Sequence, residues 1–450
     1  MPETIARQLA RHFSTLDYRK VPEPNRRAVK RLLLDYLGVA IAGSQTESGR
    51  IACQFAEVQG GKPEVTLIGS GKRVPMALGS FANAISSHSI ELDDIDVLAL
   101  FHFSPPVFSA GLAAAQRQGA NGQQLIAALA AGCEMMERTS KAANNSLRNR
   151  AYHTTPTCGV FGATVAAASL LKLNADKLTS AFGMAGAQAS GLMEMYGPSM
   201  QKRFNPGPAA RNGVTAALMA QLGFTGADTI FEGERGFLRA FTDQSDASQL
   251  TKGLSRSYQL DIEFKPYSCA RPIHNAIDCA LEIRNRDNPV LAQISRIDVA
   301  RHPDWALYHQ NKAPRTYHEA QVSLPYSAAV AFKEGAALLK QYSDRKLKDP
   351  LLVKLMRATS ISVDATLPRG VSCRMTVTMK DGKKFTAQVD YPKGSIQNPM
   401  SDAEIRAKFD SLAQPVLGAA RAARVAAMVQ DIERCGDVGE LMRLTAKRSK

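Results

Sequence analysis

Apolar residues recur every three to four positions along most of the first 260 residues, which is the spacing of one face of an α-helix. Residues 25–42 show this pattern, with Asn25 placed to cap the start of the predicted helix and Gly43 just beyond its end. Residues 123–142 repeat it, and residues 5–13 fit a shorter first helix. The first half of the chain is therefore predicted to be helical.

Other segments of this half predict close packing between the helices. Residues 157–173 are apolar on nearly every side, as in a helix buried within a larger helical body, and Thr157 is its predicted cap. Asn174 is predicted to start the next helix. Alanine and glycine dominate residues 181–191 and 209–222. Because small residues let helix axes approach closely, these segments predict a tightly packed body of many helices.

The pattern changes near Phe264, where β-rich segments begin to alternate with helical ones. Helical patterns recur at residues 327–340 and 348–357. Asp381 and Gly382 form a turn signal between two of the β-rich runs, which predicts a hairpin. The predicted strands are residues 297–300, 360–365, 374–379 and 383–389.

This distribution predicts a mostly α fold with two domains. The composition becomes helical again from Asp402 onward, so the last residues are expected to rejoin the first helices. The predicted large all-helical domain comprises residues 1–261 plus 399–450. Residues 262–398 are predicted to form a smaller α+β domain inserted into it.

The charge balance bears on the choice of partner. The chain has 56 Lys and Arg residues against 41 Asp and Glu residues, a formal net charge of +15. A positive excess favours anionic partners. The cations are scattered rather than gathered in a stripe with interleaved aromatic residues, so nucleic-acid binding is not favoured. Small anionic molecules remain open as ligands.

The cysteines and the N-terminus bear on the compartment. None of the seven cysteines has CxxC spacing or belongs to a Cys/His cluster with zinc-ligand spacing, so free thiols and no metal site are expected. The N-terminus lacks the apolar segment of a secretory signal, and no stretch approaches the ~18 apolar residues that span a bilayer. A cytoplasmic protein without membrane contact is predicted.

Candidate chemical groups concentrate in polar segments between the apolar ones. Residues 91–96 contain four carboxylates, with His88 shortly before them and His102 shortly after. His153 comes just before the predicted buried helix, and the backbone N–H groups at a helix start favour an anion. Histidines and carboxylates in such positions suit acid–base chemistry.

Cations appear in two further segments of this kind. Lys202 and Arg203 precede a helix of small residues, while Lys265, Arg271 and His274 lie at the predicted domain junction. Taken singly, such residues are more often solvated charges or structural histidines. Because they occur together at helix starts and loops, where sites are commonly built, they favour an enzyme that acts on a carboxylate.

Eight segments, in order along almost the whole chain, resemble successive signatures of the MmgE/PrpD family. They are RLLLDYLGVAIAG (31–43), HSIELDD (88–94), YHTTPTCGVFGA (152–163), MQKRFNPGPAARNG (200–213), LGFTGADTIFEGERGFL (222–238), FKPYSCARPIHNAID (264–278), SLPYSAAVA (323–331) and PKGSIQNPMSDAEIRAKF (392–409). This family contains 2-methylcitrate dehydratase, cis-aconitate decarboxylase and iminodisuccinate epimerase. The resemblance implies a large helical domain with an inserted α+β lid, a homodimer, a small carboxylate substrate, and neither a metal nor an organic cofactor.

The resemblance also assigns site residues. The family's catalytic positions match His102, His153, Lys202, His274 and Asp93. All three family reactions pass through a carbanion or enolate next to a carboxylate, so the site needs an acid, a base and fixed cations. We predict that His153 and His274 are the acid–base pair, since they come from different predicted domains. Asp93 would orient His102 or accept a substrate hydroxyl.

The remaining assignments concern substrate binding and leave the reaction open. Lys202 is expected to act with the predicted substrate-binding groups Glu91, Arg203, Lys265 and Arg271. The ELDD form of the acidic motif resembles fungal cis-aconitate decarboxylases more than dehydratases, whereas Ile95, Phe103 and Ala270 depart from the family's common residues. Lyase activity by dehydration or decarboxylation, epimerisation, and non-catalytic binding of polycarboxylates remain alternatives.

Overall fold

The computed structural model describes residues 3–96, 101–195, 199–254 and 260–447. Within these ranges the chain is mostly helical, as predicted. The small hairpin of β1 (Val65–Thr66) and β2 (Arg73–Val74) lies among the N-terminal helices. Those helices are α1 (Ile5–Phe13), α2 (Glu23–Gly43), α3 (Glu47–Gln59), α4 (Met76–Ser87), α5 (Ser104–Gln118), α6 (Gly122–Asn149), α7 (Thr154–Leu170), α8 (Ala175–Gly186), α9 (Gln201–Phe204), α10 (Pro206–Gln221), α11 (Phe237–Phe241) and α12 (Ser248–Thr251).

The helix predicted at residues 25–42 is confirmed as α2, but its ends differ from the prediction. The helix begins at Glu23, so Asn25 lies in its first turn and does not cap it. Pro24 explains the earlier start, because proline suits the first turn, where its missing N–H has no helical partner to lose. Gly43 is the last helical residue rather than the one beyond it.

The start of α7 was also predicted wrongly. The helix begins at Thr154, three residues before the predicted cap, and His153 takes the N-cap position. The Thr157 hydroxyl instead donates to the His153 carbonyl at 2.9 Å, inside the first turn. The Asn174 cap is confirmed, since its side chain accepts from the Lys177 N–H at 3.0 Å.

Small residues bring α6 and α7 into close contact, as the composition predicted. A Cβ atom on Gly162 would lie 2.6 Å from the Gly132 carbonyl oxygen, and one on Gly132 would lie 2.7 Å from that of Gly162. Both distances are shorter than real Cβ contacts, so no larger residue fits without separating the helices. This contact holds the helix that carries His153 at its start.

The C-terminal helices pack on the N-terminal ones. Buried side chains of both regions, among them Phe409 and Leu441, belong to one hydrophobic core that extends from Ala6 to Met442. Gly38 on α2 allows the Phe409 ring to approach, because a Cβ there would lie 3.1 Å from it. These helices are α19 (Asp402–Leu417), α20 (Ala419–Gln430) and α21 (Val438–Leu444).

Between these two regions the chain mixes helices with strands, and all the predicted strands are confirmed. The helix predicted at residues 327–340 ends earlier, at Glu334, because Gly335 adopts a left-handed backbone with φ +66° and stops it. The elements are α13 (His274–Asp287), β3 (Ile294–Arg301), α14 (Pro303–Ala306), α15 (Tyr317–Ala320), α16 (Leu324–Glu334), α17 (Asp344–Leu347), α18 (Pro350–Ala358), β4 (Thr359–Val363), β5 (Cys373–Met379) and β6 (Lys384–Val389).

These strands form one sheet in the order β4-β3-β5-β6. β3 pairs in parallel with β4 and antiparallel with β5, and β5 and β6 form the predicted hairpin with Gly382 at φ +86° in its turn. Side chains alternate along β5, so that Cys373, Met375 and Val377 are buried in one cluster with residues of α13. The buried residues from Cys269 to Ala387 make a hydrophobic cluster separate from the first.

The thiols agree with the sequence prediction. All seven cysteines are free, and all but Cys435 are buried. None of the helices in the described ranges combines the length and apolar character that crossing a bilayer requires.

Candidate active site

The acidic segment that follows α4 is buried. Glu91 and Asp93 have no exposed surface, and Glu91 adopts a left-handed backbone with φ +55°. Such a conformation is uncommon for a residue with a long side chain, and the surrounding contacts must stabilise it. The Ser268 hydroxyl and the Gln321 amide both donate to the Ile90 carbonyl, at 2.6 and 3.0 Å. The segment is therefore fixed before any ligand binds.

Three cations surround the Glu91 carboxylate. Lys202 Nζ and Arg203 Nη1 both donate to its Oε1, the second at 2.8 Å. Lys265 Nζ lies 3.5 Å from its Oε2 and 3.3 Å from its backbone carbonyl. Burial opposes ionisation of Glu91, but these cations hold its pKa well below its usual range. Glu91 is thus an internal counter-ion that gathers the predicted cations.

Asp93 bridges two imidazoles. Its Oδ2 lies 2.7 Å from His88 Nδ1 and 3.1 Å from His102 Nδ1. Although burial favours the neutral acid, His102, His88 and Lys265 hold the pKa of Asp93 well below its usual range. His102 Nδ1 also contacts the Asp94 carbonyl at 2.5 Å. The proton of Nδ1 is thereby directed away from the cavity, which leaves Nε2 of a neutral His102 as an acceptor.

Asp94 has a structural position at the start of α5. Its Oδ2 accepts from the Phe103 N–H at 2.7 Å, and its Oδ1 accepts from the N–H and the hydroxyl of Ser104. Burial and then the charge of Asp93 raise the pKa of Asp94 to about 6. This carboxylate connects the acidic segment to the helix that follows His102.

His153, at the N-cap of α7, is 5% exposed. Asn205 directly precedes α10, and its amide nitrogen lies 3.0 Å from Nδ1 of His153. Since the amide N–H donates, Nδ1 accepts and a neutral ring carries its proton on Nε2. Burial, followed by His88, His102 and Lys202, lowers the pKa of His153 well below its ordinary value. At neutral pH this ring is uncharged and can donate a hydrogen bond from Nε2.

Arg271 and His274 lie together at the start of α13. The guanidinium of Arg271 binds Glu263 Oε2 at 2.8 and 3.0 Å, and its Nη1 lies 3.0 Å from His274 Nδ1. His274 Nε2 lies 3.3 Å from the Cys269 carbonyl, and the residue is fully buried. Burial and then Arg271 lower the pKa of His274 well below its ordinary value. Both nitrogens of this ring face groups of the protein.

A cavity between these segments is lined by histidines and cations. Among the described residues on its wall, four are cationic and one is a carboxylate, which makes it a site for an anion. The residues of the wall that carry chemistry are Glu91, His102, Arg148, His153, Lys202, Lys265, Arg271, Trp305 and His309.

The structure therefore brings most of the predicted residues to one place, in two layers. His102, His153, Lys202, Lys265, Arg271 and Glu91 line the cavity. Asp93, Arg203 and His274 are not among the described lining residues, and each contacts one that is: Asp93 contacts His102, Arg203 contacts Glu91, and His274 contacts Arg271.

Comparisons with known proteins agree with the sequence signatures. Residues 7–250 match the MmgE/PrpD N-terminal domain, and residues 267–434 match the MmgE/PrpD C-terminal domain. The chain belongs to the MmgE/PrpD family. Its curated relatives include the cis-aconitate decarboxylase-like protein oryM of Aspergillus oryzae, with 28% identity over 98% of this chain and 97% of that protein. The cis-aconitate decarboxylase of Aspergillus terreus is 26% identical over 98% of this chain and 95% of that protein. The cis-aconitate decarboxylase of Homo sapiens is 27% identical over 92% of this chain and 89% of that protein.

Several residues around the site were not assigned a role from the sequence. His88 was visible next to the acidic motif, but nothing showed that its ring faces Asp93. Arg148, Trp305 and His309 join the cavity wall from the end of α6 and from the loop after β3. The single tryptophan of the chain was the one signal that could have drawn attention to that loop.

Lys408, on α19, holds the acidic segment in place through two contacts. Its ammonium lies 2.5 Å from Asp35 Oδ1 on α2 and donates to the Leu92 carbonyl at 2.7 Å. Burial raises the pKa of Asp35, and Lys408 opposes that rise. Since Leu92 directly precedes Asp93, this buried pair positions the carboxylate that contacts His102.

The double variant Asp35→Leu/Lys408→Met separates the two contributions of this pair. Replacing both charges of a buried pair by apolar groups is often close to neutral, so the free energy of unfolding should change by less than about 2 kcal/mol. Turnover should still fall, by about 10-fold, because Leu92 loses its donor and the Asp93 loop loses its anchor. Urea unfolding and steady-state kinetics on the same preparation would test this; unchanged kinetics would show that Lys408 has no positioning role.

The buried histidines predict a pH dependence of stability. Burial is the largest cause that lowers the pKa of His88, to about 4, and the pKa of His153 and His274 is also lowered. Below about pH 6.5 the histidines of the unfolded chain bind protons, whereas the same rings in the folded protein stay neutral. Because the unfolded state binds more protons, the free energy of unfolding decreases as the pH falls. For His88 the window runs from about pH 6.5 to 4, at about 1.4 kcal/mol per pH unit. Urea unfolding across this range measures the loss.

The variant His88→Gln isolates that contribution. Asp94, with a pKa of about 6, acts in the opposite direction, because its raised pKa stabilises the fold as the pH falls. The wild-type curve therefore contains both effects, whereas the difference between wild type and H88Q contains that of His88. Parallel curves for the two proteins between pH 6.5 and 4 would contradict the prediction.

Two groups of side chains have the donor atoms of a metal site. His88, Asp93 and His102 place ligand atoms within 4.8 Å of one another, as do Asp96, Glu137 and Asp261. In the first group the imidazole nitrogens already contact Asp93. In the second, Lys141 Nζ lies 2.7 Å from Glu137, whose pKa is raised to about 8 by burial and by Asp96. A divalent cation could bind in either group only by displacing these contacts.

Proposed function

We propose that this chain is a cofactor-independent lyase of the MmgE/PrpD type that acts on a small polycarboxylate. Decarboxylation of a tricarboxylate similar to cis-aconitate is the reaction best supported, since this activity is named in several relatives that align over nearly the whole chain. The observation that carries the proposal is the single cavity that joins His102, His153 and Lys202 with three further cations.

The cations would bind the substrate carboxylates. Lys202, Lys265 and Arg271 come from different segments and reach one cavity, and all three side chains are buried. Charge-assisted hydrogen bonds to carboxylates are stronger there than at an exposed surface. Because Glu91, Asp93 and Glu263 fix these side chains in advance, little reorganisation accompanies substrate binding.

The imidazoles would handle the proton. When the C–C bond to one carboxylate breaks, CO₂ leaves. The electron pair of that bond stays on the substrate and is delocalised over the neighbouring double bond and carboxylate. A proton must then reach carbon. His153 would donate it from Nε2 as the imidazolium, which the charge of the bound carboxylates would stabilise, and would thereby return to the neutral ring. His102, backed by Asp93, would return a proton from solvent or act on the opposite face. His274, with both nitrogens engaged, would orient Arg271 instead of exchanging protons.

The domain organisation is part of the proposal. Residues 262–398 would form an α+β lid inserted into a helical body of residues 1–261 plus 399–450. Two features support this: the separate hydrophobic clusters, and the contacts of Ser268 and Gln321 with the Ile90 carbonyl, which join the two parts beside the cavity. Opening of these contacts would admit the substrate.

The homodimer is also proposed. Ile51, Phe55 and Val58 lie one turn apart on α3 with large exposed fractions, 52%, 43% and 76%. An apolar stripe of this kind suits contact with a second copy of the chain. A cytoplasmic location remains our expectation.

A polycarboxylate panel in D₂O would test the reaction. The purified protein is incubated with cis-aconitate, 2-methylcitrate, citrate and aspartate-type diacids, and the products are analysed by mass spectrometry. Loss of CO₂ from cis-aconitate with one deuterium gained at carbon supports the proposal. Loss of water would identify a dehydratase, and deuterium exchange alone an epimerase. Thermal stabilisation without any product would identify a non-catalytic binder.

A further inference from the structure

The mouth of the cavity carries a group of side chains that the mechanism above does not use. Arg148 lies in the last turn of α6. Trp305 lies in α14 and His309 just after it, in the segment that follows β3. The Arg148 guanidinium lies over the Trp305 indole, 5.3 Å from the ring centroid. The His309 ring stacks on the same indole at 6.0 Å with an interplanar angle of 27°. One indole ring thus contacts both a guanidinium and an imidazole.

This group is held rigidly. Arg301, which is 2% exposed, donates from Nη1 to the carbonyls of Trp305 and Tyr308 at 2.6 and 3.0 Å. Its Nη2 donates to the carbonyl of Pro272 at 2.8 Å, directly beside Arg271. The loop after β3 is therefore tied to the segment that supplies a cation to the inner cavity. Such preorganisation favours ligand binding, because fewer groups must be ordered when the ligand arrives.

His309 has two further properties of a ligand-binding residue. Its backbone is left-handed, with φ +63°, a conformation that is uncommon outside glycine and that occurs preferentially at functional sites. Its Nδ1 is buried and has no hydrogen-bond partner among the described residues. Burial, followed by Arg301 and Lys202, lowers the pKa of His309 to about 3, so that the ring is neutral and one nitrogen can donate.

The dimensions of the cavity place part of the ligand at this mouth. The inner cavity measures about 70 Å³, small beside the roughly 300–1,000 Å³ of typical small-molecule sites. It continues into an outer cavity of about 1050 Å³, and Arg148, Trp305 and His309 line both. In the described part of the chain the guanidinium of Arg148 has no ion-pair partner, in contrast to Lys202, Lys265 and Arg271.

We propose that Arg148 and His309, supported by Trp305, form a subsite that binds one carboxylate of the substrate beyond those held by the inner cations. This subsite determines the preference of the protein for tricarboxylates over dicarboxylates. Arg148 supplies the charge and two parallel N–H donors, and His309 supplies a neutral N–H on the wall of the same cavity. The proposal rests on the proposed function, since it assumes that a polycarboxylate enters the cavity.

Calorimetric titration with two unreactive ligands tests the subsite without turnover. Tricarballylate has three carboxylates on a propane chain, and methylsuccinate lacks one of them. The wild type should bind tricarballylate more tightly, and Arg148→Met should reduce this preference by about 10- to 100-fold, the value of a charge-assisted hydrogen bond. Arg148→Lys, which keeps the charge without the planar fork, should reduce it less.

Arg150→Met is the matched control. Arg150 lies two residues beyond Arg148, and its Nη1 binds Asp243 Oδ1 at the surface, at 2.5 Å. R150M removes the same charge from the same region and should keep the wild-type preference. If R148M unfolds at a lower temperature than R150M, His309→Asn provides the second measurement, because asparagine tolerates the left-handed backbone. H309N should reduce the preference by about 3- to 10-fold.

The outcomes separate the two proposals. Equal affinity of the wild type for both ligands, or an unchanged preference in R148M and H309N, would overturn the subsite even if the D₂O panel shows decarboxylation. An equal loss in R150M would overturn it too, since the effect would then be one of net charge. A preference that R148M abolishes, in a protein that yields no product in the panel, would support the subsite and refute the lyase. Absence of binding by the wild type would refute both.

Discussion

Replacement of His153 by alanine is expected to lower kcat by about 10²- to 10⁴-fold, the usual contribution of a positioned acid or base. The ring lines the cavity, is neutral before a substrate binds, and has Nε2 as its donor because Asn205 donates to Nδ1. The substitution removes this donor and leaves Lys202 and Lys265 in place, so KM should change much less than kcat. Steady-state kinetics with the polycarboxylate identified in the D₂O panel measures both.

His302→Ala provides the control for that experiment. His302 lies outside the cavity, where its Nδ1 accepts from the Asp304 N–H at 3.3 Å, and its removal should leave kcat near the wild-type value. His274→Ala should have a smaller effect than His153→Ala, because His274 acts through Arg271. Near-normal turnover in H153A would remove His153 from the mechanism, and a larger loss in H274A would exchange the two roles.

Glu91→Gln is expected to lower the free energy of unfolding by about 3–5 kcal/mol. The carboxylate is fully buried and contacts Lys202, Arg203 and Lys265, so the neutral amide removes the negative charge that compensates three buried cations. Breaking a buried ion pair from one side has a cost of about this size, because the remaining charge is desolvated and uncompensated. Urea denaturation at neutral pH measures it.

An exposed ion pair serves as the control for Glu91. Glu282 and Arg286 form an i,i+4 pair on α13 at 2.9 Å, and both side chains are nearly half exposed. Glu282→Gln should change the free energy of unfolding by less than about 1 kcal/mol. A similarly small change in E91Q would mean that water or a bound anion already compensates the three cations, and would contradict the role of Glu91 as their counter-ion.

The sequence predicted the elements of the fold better than their ends. Periodicity located α2, α6 and the β5–β6 hairpin, because each buries one regular face. It misplaced the caps at Asn25 and Thr157, since proline at the start of one helix and the site geometry at His153 decide those positions. Neither factor is visible in the hydrophobic pattern.

The site shows the same limit. The family signatures predicted which residues are involved, and the structure brings six of the nine to one cavity. They could not predict that Glu91 would be enclosed by cations, or that His274 would face Arg271 and the Cys269 carbonyl. They also did not point to Arg148 or His309, because a residue that joins a site only through tertiary packing leaves no local pattern in the sequence.

The position of Glu91 has a consequence for how tightly any substrate is held. Before the reaction begins, the cation cluster already contains one carboxylate, supplied by the chain itself. We therefore expect an incoming polycarboxylate to share those ammonium and guanidinium groups with Glu91, which lowers the net positive charge that attracts it. We expect the same competition to discriminate against simple monovalent ions, which offer too few contacts to share the cations with Glu91.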